Sequence, residues 1–195
     1  MFNEKYETVK KLISKAEINK KVTELAEIIS RDYKNKQPFF ICMLKGGWVF
    51  SADLIRKVTI PVLIDFLGVS SYGDKTESTG KIDIKSDLST SVKDKDVLII
   101  EDIVDSGFTL SKIKEYLLAQ KPASLKICTL LDKPSRRKVK VKLDYAGFEI
   151  PDKFVVGYGI DYANKYRQLP YIGFVEFKEN KKDQAENKLQ LTGIR

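Results

Sequence analysis

Apolar and polar positions along the chain fall into alternating blocks. Ser14-Lys15-Ala16-Glu17 has the S-x-x-E form of a helix start, in which the two side chains cap each other's backbone N–H groups. Ile18, Val22, Leu25 and Ile29 follow at three- and four-residue steps, the spacing of one helical face. Pro38 to Leu44 (PFFICML) is an unbroken apolar run of strand length. Trp48 to Val58 reads as a helix and Ile60 to Val69 as a strand. Val97 to Ile100 is a short apolar run with turn residues after it. Thr109 to Gln120 is helical, with Ile113, Tyr116 and Leu117 on one face. Leu125 to Leu131 and Phe154 to Tyr158 are strands again. Strand and helix in repeated alternation predict an α/β fold, a mainly parallel sheet flanked by helices. Continuous apolar strands suit a sheet covered on both faces. Ligands of such sheets bind beyond the carboxyl ends of the strands, so chemistry is sought just after each strand.

Composition narrows that chemistry. The 195 residues are 43% hydrophobic and 32% charged, a globular balance without repeats or low-complexity linkers. Histidine is absent, which excludes Ser–His and Cys–His nucleophiles and His-ligated zinc. Proton transfer then falls to carboxylates, lysine, tyrosine or thiols, and any metal is expected to be a hard cation held by oxygen. Cys42 and Cys128 lie in apolar runs and are expected as buried, reduced thiols. No apolar stretch approaches the ~18 residues of a membrane span. The start, MFNEKYETVKK, lacks the apolar core of a secretion signal, so a cytoplasmic protein is expected. The net charge is +8, and residues 133–142 (KPSRRKVKVK) carry six positive charges and no negative one. Such a run attracts polyanions. It has no interleaved aromatics, as single-strand binders have, and it reads as a solvated strand and loop.

The most informative segment is Val97 to Leu110, VLIIEDIVDSGFTL. An apolar strand ends in Glu101-Asp102, two acids that need water, a cation or hydroxyl donors. Asp105-Ser106-Gly107-Phe108-Thr109 then leads into a helix. Successive N–H groups at a helix start, with the Ser106 and Thr109 hydroxyls, would cradle a phosphate. A carboxylate in that loop would stand beside it as base or hydroxyl acceptor. Earlier, Leu44-Lys45-Gly46-Gly47 places a cation and accessible backbone N–H groups at another strand end, which suits pyrophosphate. Leu131-Asp132-Lys133-Pro134 closes a third strand.

The acidic strand end with its D-S-G-x-T turn resembles the phosphoribosyl-pyrophosphate motif of type I phosphoribosyltransferases. The resemblance extends in order over residues from about 10 to 177 and is to the hypoxanthine–guanine branch. It implies a type I phosphoribosyltransferase fold with a small hood subdomain: a core of about 35–131 and a hood from about 1–17 and 132–177, followed by a polar tail, 178–195. It implies transfer of a 5-phosphoribosyl group from its pyrophosphate to hypoxanthine or guanine, with Mg²⁺ as cofactor. By the same resemblance Asp105 accepts the purine N7 proton. Glu101 and Asp102 hold ribose hydroxyls and metal, while Ser106, Gly107, Phe108 and Thr109 hold the 5′-phosphate. Lys45, Gly46 and Arg167 grip pyrophosphate, and a cis Leu44–Lys45 peptide is expected. Ser71 and Tyr72 close a lid. Lys133 donates to the purine 6-oxo group, Phe154 stacks on the ring, the Val155 backbone meets its edge, and Asp161 helps bind a second Mg²⁺. Phe108 departs from members with a basic residue there. Homodimers or homotetramers are implied, with no membrane or nucleic-acid partner. A xanthine-preferring enzyme, or a related nucleic-acid-binding regulator that uses the basic run, are the alternatives.

Overall fold

A computed structural model describes residues 7–70 and 83–177. In chain order it contains β1 (Glu7–Ile13), α1 (Lys15–Asp32), β2 (Phe39–Leu44), α2 (Trp48–Ile55), β3 (Leu63–Ser70) and β4 (Asp83–Ser86). There follow β5 (Asp96–Val104), α3 (Phe108–Leu118), β6 (Ser124–Asp132), β7 (Tyr145–Glu149), β8 (Val155–Val156) and β9 (Ile172–Phe177). Helix α1 begins as its sequence dictates: the Ser14 hydroxyl accepts from the Glu17 N–H, and the Glu17 carboxylate accepts from the Ser14 N–H at 2.8 Å.

The large sheet has the order β4-β3-β2-β5-β6-β7 and is parallel except for β4, which pairs antiparallel with β3. The central stretches Phe39–Leu44 of β2 and Val97–Ile100 of β5 are apolar at every position because each side of the sheet faces a separate core. Phe40 and Cys42 of β2, with Leu98 and Ile100 of β5, pack into the cluster that holds α1 and α2. Phe39, Ile41 and Met43, with Val97 and Ile99, pack on the other face with Leu110, Ile113 and Leu117 of α3. The two-residue period of a strand sorts the side chains between these layers. Cys42 and Cys128 are buried free thiols in the first cluster, and burial pushes the Cys42 thiol up to about 11. Among the described residues, no helix is long and apolar enough to cross a membrane.

A second, antiparallel sheet, β1-β9-β8, joins the start of the described chain to its end. Three expectations need correction. Residues 145–149, expected in the hood, form β7 and extend the large sheet in parallel with β6. The strand expected over 154–158 is only Val155–Val156, because Gly157, Tyr158 and Gly159 all take positive φ. β5 runs through Glu101 and Asp102 to Val104, so the acids belong to the strand and the turn starts at Asp105.

The chain leaves β2 for β3 on one side and later enters β5 on the other. This reversal of strand order opens a crevice beyond the carboxyl ends of β2 and β5, the place where sheets of this kind bind ligands.

Candidate active site

Two turns face that crevice. The first follows β2. Its Leu44–Lys45 peptide is cis, as expected, and Lys45 is exposed. Gly46 lies directly on the Asp102 carboxylate, so closely that a Cβ there would overlap Asp102 Oδ2. A Cβ on Gly47 would stand 2.7 Å from the Met43 carbonyl oxygen and 3.5 Å from the Asp102 nitrogen. The glycines therefore let the turn close onto the acids of β5.

Asp102 is buried and its N–H donates to Glu101 Oε1 at 3.2 Å. Burial, then the neighbouring Asp102 carboxylate, hold the Glu101 carboxyl well above its ordinary value of 4.5. Two adjacent carboxyls at a half-dry strand end, one of which resists ionisation, form a donor set that a hard cation would complete. Asp161 does not gather with them: among the described residues, no three acidic or thiol side chains converge as a metal cage.

The second turn, residues 105–109, is tied from outside. Gly107 has φ +85°, a left-handed conformation, and a Cβ on it would meet the Val139 carbonyl oxygen at 2.6 Å. The Ser106 carbonyl accepts from the N–H groups of Lys138 at 2.9 Å and Val139 at 3.0 Å. The Arg137 side chain, 16% exposed, donates to the carbonyls of Asp105 at 2.9 Å and Val104 at 3.2 Å and pairs with Asp132. Phe108 opens α3 with its ring exposed, so its expected phosphate role rests on its backbone N–H.

Beside this turn the groups expected to read the purine come together. Lys133 is buried, although six cations in ten residues had suggested a solvated segment beyond it. Its Nζ donates to the Lys153 carbonyl at 2.9 Å and lies 3.8 Å from Asp105 Oδ2 and 3.7 Å from Asp152 Oδ1. Asp105 Oδ1 is shielded from water and accepts no hydrogen bond; Arg136 Nε stands 3.5 Å away. Phe154 is 53% exposed and meets the Tyr162 ring edge-on at 5.2 Å, which leaves ring surface open to a flat ligand. Val155 is buried in β8 alongside.

The loop after β8 reaches back to the first turn. Gly159 packs against the Gly46 carbonyl oxygen. Arg167 donates from Nη1 to the Gly159 carbonyl and pairs through Nη2 with Asp161 Oδ1, each at 2.7 Å. Asp161 Oδ2 accepts from the Asn164 N–H at 2.7 Å, so both its oxygens are engaged within the loop. The Tyr158 hydroxyl donates to Asp53 Oδ2 of α2 at 2.6 Å and anchors the loop there. Ser71 and Tyr72 lie outside the described residues.

The phosphoribosyl transferase domain family matches residues 9–163. A hypoxanthine-guanine phosphoribosyltransferase of Bacillus subtilis is 52% identical over 172 residues, 88% of this chain and 96% of that protein. The hypoxanthine phosphoribosyltransferase of Escherichia coli K12 is 50% identical over 170 residues, 86% of this chain and 96% of that protein. A crystal structure of a hypoxanthine-guanine phosphoribosyltransferase from Bacillus anthracis superposes with a TM-score of 0.82 at 49% identity, covering 86% of this chain and 99% of that one. The chain belongs to the phosphoribosyltransferase family, on its hypoxanthine branch. As a member it is a pentosyltransferase of purine salvage with the type I phosphoribosyltransferase fold.

Phosphoribosyltransferase motifs named most of the residues around the crevice but not Arg136, Arg137 and Asp152. The first two sat in a run read as solvent-facing, and no linear pattern says which cations of such a run turn inward. In the fold, Lys133, Arg136 and Arg137 all engage acids or carbonyls around the second turn. Three of the six charges of the run thus have partners around the second turn, while Lys138, Lys140 and Lys142 stay exposed. It is the similarity to hypoxanthine phosphoribosyltransferases that does not favour a nucleic-acid regulator.

Proposed function

We propose that the chain transfers the 5-phosphoribosyl group of 5-phosphoribosyl 1-pyrophosphate to N9 of hypoxanthine or guanine. The N9–C1′ bond forms, the bond from C1′ to pyrophosphate breaks, and the N7 proton passes to Asp105. The observation that carries this reading is the pairing of Lys133 Nζ with Asp105 Oδ2 at 3.8 Å beside the open Phe154 ring. N7 and O6 are neighbours on one edge of a 6-oxopurine. A cation for O6 and a carboxylate for the N7 proton must therefore stand side by side, with a ring surface alongside for stacking. An adenine amino group would offer the ammonium no such acceptor.

The 105–109 turn would hold the 5′-phosphate through backbone N–H groups at the start of α3. Lys45, the backbone of Gly46 and Arg167 would hold pyrophosphate. Glu101 and Asp102 would hold the ribose hydroxyls and Mg²⁺, which fits an oxygen-only donor pair with one reluctant acid. Bound there, Mg²⁺ supplies charge neutralisation for the leaving pyrophosphate. Asp161, engaged by Arg167 and Asn164, would reach a second ion only through its remaining lone pairs. General base catalysis by Asp105 would contribute ~10²–10⁴-fold, with positioning and charge stabilisation supplying the rest. Exposed Leu63, Ile64 and Phe66 on β3 suit a homodimer or homotetramer, and the buried free thiols suit the cytoplasm.

A pyrophosphate-release assay with each purine, with and without Mg²⁺, tests the reading. Release with hypoxanthine or guanine, dependent on Mg²⁺, is expected. Release with adenine alone, or with none of the purines, would overturn it.

A further inference from the structure

Lys133, Asp105, Arg136 and Asp152 form an alternating ring of charge. Lys133 Nζ lies 3.8 Å from Asp105 Oδ2 and 3.7 Å from Asp152 Oδ1. Arg136 closes the ring, with Nε 3.5 Å from Asp105 Oδ1 and Nη1 3.7 Å from Asp152 Oδ2. Each acid thus faces both cations, one through each oxygen. The two oxygens of Asp105 are not equivalent: Oδ1 is shielded from water and meets the guanidinium, while Oδ2 lies on the side of Lys133.

We propose that Arg136 and Asp152 are positioning residues for the groups that read the purine edge, with Arg136 fixing Oδ2 of Asp105 as the oxygen that takes the N7 proton. The inference rests on the role proposed above for Asp105. A carboxylate rotates readily about its last side-chain bond, and a base that samples both orientations spends part of its time misaligned with N7. The guanidinium against Oδ1 removes that freedom. Asp152 joins the arginine to Lys133, so the O6 donor and the N7 acceptor keep a common reference. As the N9–C1′ bond forms and the C1′–pyrophosphate bond breaks, the proton moves from N7 to Oδ2, and Asp105 becomes neutral between two cations. Asp152 retains its charge and continues to balance them.

The Arg136 side chain is 56% exposed, and pairs at such positions add little to stability. Its effect is therefore expected in turnover rather than in folding. The test is a cycle of Arg136→Met and Arg136→Lys, each in the parent and in Asp105→Asn, with kcat and both KM values measured. Arg136→Met should lower kcat about tenfold and leave KM for the phosphoribosyl donor within about twofold, and Arg136→Lys should recover most of the loss. In the Asp105→Asn background, Arg136→Met should add less than about a twofold effect, since the group it positions is gone. An unchanged kcat in Arg136→Met, or the same tenfold loss on top of Asp105→Asn, overturns the inference alone. Parent-level turnover in Asp105→Asn overturns the reading of Asp105 and the inference with it. Thermal unfolding monitors the fold, and if Arg136→Met melts below the assay temperature, Arg136→Lys completes the same cycle, with an unchanged kcat or an additive loss again counting against the proposal.

Discussion

The turns after β2 and β5 occupy equivalent places on neighbouring parallel strands, and each carries glycine and runs into a helix, yet they are held by opposite means. The 105–109 turn is tied by added groups: Arg137 donates to two of its carbonyls and the N–H groups of Lys138 and Val139 to a third. The 44–47 turn is seated by missing ones, since Gly46 touches the Asp102 carboxylate and Gly47 comes close to the Met43 carbonyl and the Asp102 nitrogen. A tether of side-chain hydrogen bonds degrades by degrees when trimmed. A contact made by bare backbone has no partial version, because the smallest side chain already collides. The pyrophosphate side of the site should therefore be brittle and the 5′-phosphate side tunable.

Gly46→Ala is the strongest way to break this contrast. The new methyl group would overlap Asp102 Oδ2, so either the turn or the acid must move. Displacement of a positioning group by about 1 Å costs on the order of 10²-fold, and kcat/KM for the phosphoribosyl donor should fall by at least that. Steady-state kinetics at saturating purine measures it, and activity within about threefold of the parent would show that the turn has slack the packing does not suggest.

Arg137→Met should act on stability more than on chemistry. It removes charged hydrogen bonds to the Val104 and Asp105 carbonyls and leaves Asp132 without its arginine. A loss of about 2 kcal/mol is expected, roughly 4–8 °C in Tm, with turnover reduced less than in Gly46→Ala. Thermal unfolding beside kinetics separates the two. A collapse of activity without a change in Tm would mean that Arg137 touches substrate and that the two turns are not held differently.

The contrast also bears on which parts of the molecule are legible in the sequence alone. Gly46, Gly47 and Gly107 are legible through the motifs that contain them rather than singly. A K-G-G or D-S-G turn is common, but the full E-D-x-x-D-S-G-x-T pattern after an apolar run, with the other strand-end motifs in order, is specific. The parallel core was legible as well: Phe39 to Leu44 and Val97 to Ile100 are apolar at every position because they have two buried faces. Arg137 was not legible, because its acceptors lie 32 and 33 residues upstream and only the β5–β6 pairing brings them near. β7 is not legible and β8 only in part, for opposite reasons. β7 is an edge strand of mixed burial that lacks an apolar run, whereas the apolar run of β8 is cut short by three consecutive left-handed residues. Asp152 sits in an ordinary Pro-Asp-Lys turn and gains its role only where Lys133 and Arg136 converge on it.

The smallest of the expected effects sharpens the comparison at the point where the two turns meet. Asp102 bears the glycine contact, while Glu101 is the acid whose ionisation is resisted by burial and by its neighbour. A carboxyl that holds its proton more tightly folded than unfolded leaves the native chain with more protons bound, so stability falls as pH rises above the ordinary value of 4.5. Glu101→Gln removes that titration. In metal-free buffer the variant should melt above the parent at pH 8, and the gap should close as pH falls toward 4.5 and below. Mg²⁺ should narrow the gap from the other direction, since a cation bound by the folded carboxylate pair stabilises the parent by mass action and finds a poorer ligand in the amide. Parallel melting curves across pH would place the Glu101 carboxyl in water. A gap insensitive to Mg²⁺ would move the cation away from β5, and the 44–47 turn would then close on Asp102 for packing alone.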